Sequence, residues 1–301
     1  MVSQKSYRGR FAPSPTGPLH FGSLVAALAS YLEARCQGGE WLVRMEDVDE
    51  LRTIEGANSS ILTSLEQHGL YWDGEVLYQT RRKTLYQAVL EQLQVQERVY
   101  ACDCSRRQLH QTAPLGPYGH IYPGTCRSRK LIDRPGESAL RMIVTDTNIQ
   151  FCDQVMGRYG QNMASDIGDF IIRRRDGLFA YQLAVVADDH DQGITHVVRG
   201  SDLLDSTPRQ IYLQQCLDYT QPHYAHLPVA VNPAGDKLSK QTGALALDNK
   251  LASTNLLKAL RFLGQQPEAA LLDASPEEIL AWAIDHWQLH NVPDREKLLP
   301  A

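Results

Sequence analysis

The sequence predicts an α/β chain built on a doubly wound parallel sheet, and three observations carry that prediction. Residues 10–23, RFAPSPTGPLHFGS, read as a strand that breaks into a proline- and glycine-rich turn and feeds directly into a helix. Residues 41–46, WLVRME, form a second apolar run that ends in the carboxylates Glu46, Asp47 and Asp49. Helical periodicity follows over 55–70 and 82–96, which gives the strand and helix alternation of a parallel sheet.

The first element sets the site. Pro13, Pro15 and Pro18 forbid helix and Gly17 permits the turn, so helix starts only near Phe21, where Leu24, Val25, Leu28 and Leu32 recur at three- and four-residue spacing. His20, Gly22 and Ser23 then lie at the first turn, whose unpaired N–H groups attract anions. Gly22 lets a nucleotide approach the backbone, and His20 adds a donor beside the phosphates. Alone, these residues read first as a plain strand-to-helix turn with an incidental histidine. Far down the chain a loop carries KLSKQ, in which Lys237 and Lys240 flank a serine and can neutralise phosphate charge.

At the end of the second strand, a carboxylate can hold an ammonium group, because ligands bind at the carboxyl ends of strands in open α/β sheets. The alternative is a polar terminus capping the next helix through Asp49 or Thr53. Residues 100–130 change character, being rich in Gly and Pro and poor in apolar periodicity. Cys102 and Cys104 share a tight turn and Cys126 returns after a loop, a spacing that fits a structural zinc site. A fourth ligand is needed, from His110, His120, Tyr118 or Tyr122; imidazole is much the commoner zinc ligand.

Residues 139–146 and 149–156 alternate like two strands paired with each other. Residues 166–173 and 179–186 suggest further strands around the turn at Asp176 and Gly177, with Tyr181 in the second. The acidic run Asp188, Asp189 and Asp191 reads as a solvated loop and makes a poor calcium motif. Residues 208–218 read as a helix. Ser253 and Thr254 can cap a helix running to Phe262, and Ser275 with Glu278 forms a capping box around Pro276. The expected division is 1–99 and 166–245 for the two halves of the sheet domain, 100–165 for an inserted subdomain, and 246–301 for a C-terminal helical segment.

Bulk properties narrow the function classes. At 301 residues and 43% hydrophobic content the chain can bury a large core. The net charge of −5 argues against a protein that coats nucleic acid, although Arg81 to Lys83, Arg127 to Lys130 and Arg173 to Arg175 group basic charge locally. No apolar run is long enough to span a bilayer, and six scattered cysteines do not make a secreted disulfide framework. A cytoplasmic monomer is expected.

Taken together, RFAPSPTGPLHFG, VRMEDVD, FAYQLAVVADD, VVRGSDLL and KLSKQ resemble the glutamyl branch of the class I aminoacyl-tRNA synthetases over most of the chain, with HFG and KLSKQ in the places of its HIGH and KMSKS signatures. The resemblance implies a class I synthetase-type, Rossmann-like sheet with an inserted zinc-containing α+β acceptor-like subdomain. It implies that Arg10 pairs with a glutamate carboxylate, with Ala12 and Ser14 in the same wall. Glu46 receives the ammonium group, and Tyr181 and Arg199 complete the pocket. His20, Gly22, Lys237 and Lys240 hold ATP, which arrives with Mg2+. It also selects Tyr122 as the fourth zinc ligand, through a Tyr-x-x-x-Cys spacing to Cys126. The final serine of the KMSKS motif is replaced by Gln241, and little sequence follows it. That plan resembles the short members of the branch, which activate L-glutamate without tRNA and attach it to the queuosine base in the anticodon loop of tRNA(Asp). Three other readings share parts of the pattern: a compact glutamyl-tRNA synthetase loading the tRNA 3′ end, a small-molecule adenylating enzyme of the same superfamily, and a zinc-containing RNA-binding module without catalysis.

Overall fold

The computed structural model describes residues 6–238 and 245–300. Strand β1 (Arg8–Phe11) leads into α1 (Phe21–Cys36), β2 (Glu40–Met45), α2 (Ala57–Gln67), β3 (Leu77–Tyr78), α3 (Lys83–Val95) and β4 (Val99–Cys102). There follow α4 (Arg106–Thr112), the short strands β5 (Leu115–Gly116) and β6 (Gly119–His120), then β7 (Ala139–Met142), β8 (Asn148–Asp153), β9 (Gly157–Asn162) and β10 (Ile171–Arg173). The remainder is α5 (Tyr181–Asp191), β11 (His196–Gly200), α6 (Thr207–Leu217), β12 (His223–Leu227), β13 (Val229–Ala230), α7 (Ala252–Phe262), α8 (Pro276–His286) and β14 (Lys297–Leu298).

The predicted parallel sheet is present. β1 pairs with β2 and β2 with β3, all parallel, while β11 pairs in parallel with β12. β11 lies along β1, and its approach is fixed where Thr195 N donates to Arg8 O at 2.9 Å. Strand order therefore reverses between β1 and β11, the switch point where α/β sheets bind ligands. Side chains alternate across the sheet: Val198, Ala225 and Leu227 join Leu24, Leu28 and Leu32 of α1 and Leu256 and Leu260 of α7 in one core. Val197 and Tyr224 face the other core, with Leu183 of α5 and Ile211 of α6. Helices thus cover both faces, and each fully buried leucine contributes roughly 1.5–3 kcal/mol.

Several local readings are corrected. Residues 179–186 are not a strand: α5 starts at Tyr181, and Leu183 to Asp189 are all buried. A helix buried on every side presents the same unbroken apolar run as a core strand, so periodicity cannot separate them. The acidic run is no solvated loop either, since Asp188 and Asp189 are buried on that helix. Residues 139–146 and 149–156 do not pair with each other. β7 sits between β4 and β10, whereas β8 turns at Gly157, whose φ is +76°, and pairs with β9. Strand in 166–173 is confined to Ile171–Arg173, the chain before it forming a π-helical turn at Met163–Ile167. Ser253 and Thr254 do not cap α7, which begins at Ala252; Ser253 Oγ instead donates to Ala274 O at 2.8 Å. The Ser275 and Glu278 capping box on α8 is formed as read.

The last strand returns to the site region. β14 pairs in parallel with β13, Val231 N donates to Leu298 O at 3.0 Å, and Ser201 Oγ donates to Glu296 O at 2.6 Å. No helix among the described residues is long and apolar enough to cross a membrane.

Candidate active site

A cavity of about 440 Å³ opens at the carboxyl ends of β1, β2 and β11. It is lined by Arg10, Ala12, Ser14, His20, Gly22, Glu46, Tyr181, Arg199 and Lys237, so residues from distant parts of the chain converge. Lys240 lies outside the described residues. His20 is the N-cap of α1, and its Nδ1 accepts from Ser23 N at 3.3 Å, which leaves the ring proton on Nε2. A Cβ on Gly22 would stand 3.3 Å from His20 Cε1, so only glycine leaves the ring and the helix end their present spacing. Lys237 Nζ meets Asp202 Oδ2 at 2.6 Å on the rim.

The deeper wall is electrostatic. Arg10 is buried and its Nε and Nη2 reach Asp189 Oδ1 and Oδ2 at 3.1 and 3.4 Å. Arg44, fully buried, also donates to Asp189 Oδ1, at 2.7 Å, and its Nη2 stands 3.5 Å from Glu46 Oε1. Glu46 Oε1 is buried and makes no hydrogen bond among the described residues. Burial pushes the Glu46 carboxyl up to about 7, against the pull of Arg44 and Arg10. Burial also acts upward on Asp189, but Arg10 and Arg44 together hold it below the ordinary carboxylate range. A buried carboxylate oxygen that accepts no hydrogen bond, beside arginines, is an arrangement that can take an amine and an acid together.

The alternative of helix capping at the end of β2 is not realised. Asp49 makes no cap bond and pairs with Arg174 at 2.7 Å, while Asp47 accepts from Thr80 N and Oγ1, both at 2.9 Å.

Arg199 is held differently from Arg10. Its Nε donates to His226 Nε2 at 3.1 Å, its Nη2 to Thr207 Oγ1 at 2.9 Å and Gln210 Oε1 at 2.8 Å, and its Nη1 to Tyr181 OH at 3.3 Å. These acceptors are neutral. Arg44, Asp189, Asp202 and His226 were not singled out from the sequence as site residues. Arg44 sits in a strand that reads as core, and the others gain their roles only through contacts across the sheet.

The cysteines also converge. The Sγ atoms of Cys102, Cys104 and Cys126 lie within 4.8 Å of one another. Tyr122 OH stands 3.3 Å from Cys102 Sγ and 3.5 Å from Cys104 Sγ, and it accepts from Cys126 N at 3.0 Å. Tetrahedral zinc with bonds near 2.3 Å needs ligand separations of about 3.8 Å, so the three sulfurs are close enough together to take such an ion. The two histidine candidates are engaged elsewhere, since His110 and His120 bond each other at 2.9 Å. Arg141 Nε reaches Cys102 Sγ at 3.2 Å, with its guanidinium 3.8 Å over the Tyr122 ring.

Residues 6–271 match the family model described as tRNA synthetases class I (E and Q), catalytic domain. A protein of Dechloromonas aromatica strain RCB named glutamyl-Q tRNA(Asp) synthetase is 54% identical, over 98% of this chain and 99% of its own length. A protein of the same name from Ectopseudomonas mendocina strain ymp is 50% identical, over 98% of each chain. The crystal structure of a glutamate-tRNA synthetase from Elizabethkingia anophelis superposes with a TM-score of 0.79 at 26% identity, covering 97% of this chain and 67% of that one.

Proposed function

Since this chain belongs to the family of class I tRNA synthetases (E and Q) through its catalytic domain, we propose that its cavity activates glutamate with ATP and passes the glutamyl group to the queuosine base of tRNA(Asp). The observation that carries the amino-acid half is Glu46 Oε1, buried and accepting no hydrogen bond among the described residues, in a cavity that also holds Arg10 and Arg199. An amine goes to Glu46, and two carboxylates go to arginine donors. Glutamine would offer one charge fewer to the same donors. The acceptor half is supported by relatives named glutamyl-Q tRNA(Asp) synthetase that match almost the whole chain.

In the first step an oxygen of the glutamate α-carboxylate attacks the α-phosphorus of ATP, and the bond to the bridging oxygen breaks. Pyrophosphate leaves with its Mg2+, and glutamyl-adenylate remains. His20 Nε2–H and Lys237 stand at the rim where phosphate charge builds up, with Lys240 assigned beside them from the sequence. In the second step an acceptor hydroxyl attacks the acyl carbon and AMP leaves with the carboxyl oxygen. No side chain forms a covalent intermediate, so rate comes from positioning and charge.

Cys102, Cys104, Tyr122 and Cys126 are assigned to one structural zinc ion. Bound there, the ion cross-links residues 100–130, a segment whose own apolar cluster is confined to a few side chains.

The test supplies ATP, labelled glutamate and total tRNA containing queuosine, then digests the RNA and locates the label. Label on the queuosine nucleoside of tRNA(Asp) is the expected result. Label on the terminal adenosine would convert the chain to an ordinary glutamyl-tRNA synthetase, and no transfer to RNA at all would favour a small-molecule adenylating enzyme.

A further inference from the structure

Of Arg10 and Arg199, the two arginines assigned to the amino-acid pocket, Arg199 meets no carboxylate among the described residues, yet it is the more completely held. Behind it stands His226, fully buried, and behind His226 stands Asp153. Arginine Nε–H can only donate, so His226 Nε2, 3.1 Å away, must be the unprotonated nitrogen. The ring proton therefore sits on Nδ1 and is given to Asp153 Oδ2 at 2.6 Å. The other oxygen, Asp153 Oδ1, accepts from three backbone N–H groups, those of Val155 at 3.0 Å, Met156 at 2.9 Å and His226 at 3.0 Å. Asp153 ends β8, so this support comes from the hairpin rather than from the parallel sheet.

We infer that Asp153 and His226 are positioning residues for glutamate recognition: Asp153 fixes the His226 tautomer, and His226 fixes the rotation of Arg199 toward the cavity. This rests on the reading of Arg199 as a receptor for a substrate carboxylate. The neutral imidazole is the essential part. A carboxylate bonded directly to Arg199 would compete with substrate for the guanidinium charge, whereas an acceptor nitrogen orients it and leaves its charge available.

The arrangement supplies its own test, because Asp153→Asn keeps shape and inverts one bond. The amide oxygen retains the three backbone donors, so the amide nitrogen faces His226 Nδ1, which must then accept. The ring proton moves to Nε2 and opposes the Arg199 Nε–H. Nitrogen-15 NMR of the histidine ring should show the change from the Nδ1–H to the Nε2–H tautomer. In ATP–pyrophosphate exchange, KM for glutamate should rise tenfold or more while KM for ATP stays within twofold. His226→Gln, which can still offer an oxygen to Arg199, should be milder than His226→Leu and provides a second comparison if Asp153→Asn folds poorly.

A switched ring with unchanged glutamate KM overturns the inference, as does a parallel rise in both KM values or equal loss in the two His226 variants. Arg199→Ala separates the levels. If it raises the glutamate KM and Asp153→Asn does not, the positioning role alone fails; if Arg199→Ala leaves that KM unchanged, the pocket reading fails with it.

Discussion

Arg10 meets Asp189 through two contacts, Nε to Oδ1 at 3.1 Å and Nη2 to Oδ2 at 3.4 Å, so a protein carboxylate already grips the arginine that faces the cavity. Arg44 shares that carboxylate from a fully buried position. Asp189 therefore holds the charge balance of the whole wall.

Asp189→Asn should leave two buried arginines short of a partner and destabilise the fold by about 3 kcal/mol, read as a lower Tm. Its wild-type contribution has a definite pH sign. The folded pKa is depressed, so the stabilisation is present above the ordinary carboxylate range and is lost as pH falls through the depressed value. An Asp189→Asn protein as stable as wild type at pH 7 would contradict the balance described.

Glu46 has the opposite sign. Its carboxyl is raised to about 7, so the folded state holds the proton more tightly than the unfolded chain and stability falls as pH climbs from the ordinary carboxylate range to about 7. Glu46→Gln should remove that slope and stabilise the free protein by roughly 2 kcal/mol at pH 8, relative to wild type at the same pH. The same change should abolish glutamate activation. In wild type, KM for glutamate should rise about tenfold per pH unit below 7, because the amine needs the ionised carboxylate. Parallel denaturation and exchange series across pH 5 to 8 measure both effects.

Gly22→Ala adds a methyl 3.3 Å from His20 Cε1 at the helix end assigned to ATP. KM for ATP should rise by about tenfold, an energy near 1.4 kcal/mol, with glutamate KM within twofold. An increase confined to glutamate would move the nucleotide elsewhere in the cavity.

Zinc assignment predicts that Cys104→Ser lowers zinc content by metal analysis and loosens residues 100–130 to proteolysis, while the parallel-sheet domain stays folded. Tyr122→Phe should weaken zinc retention against a chelator, and His110→Ala should not. Equal retention in the Cys104→Ser protein would remove the ligand set.

The strand-turn-helix at residues 10–23 was legible because prolines, glycine and periodic leucines act locally. The capping box at Ser275 was legible for the same reason. Tyr181 lines the cavity, but it starts a helix where the sequence reads as a strand, since a helix buried all round hides its period. Asp189, Arg44 and His226 escaped as site residues because nothing near them in the chain announces a partner more than a hundred residues away, or on the neighbouring strand. At Tyr122 ligand frequency alone favours histidine and the family resemblance selects the tyrosine; its hydroxyl stands 3.3 Å from Cys102 Sγ, while His110 and His120 bond each other.

The pairing of β13 with β14 has a consequence for synthesis. Val229 and Ala230 enter the loop that carries Lys237, and their neighbours are Lys297 and Leu298. A chain growing on the ribosome cannot make that pairing until residue 298 has left the exit tunnel, however early the sheet around β1 collapses. Until then the loop that carries Lys237 lacks that brace, whatever the state of the sheet around β1.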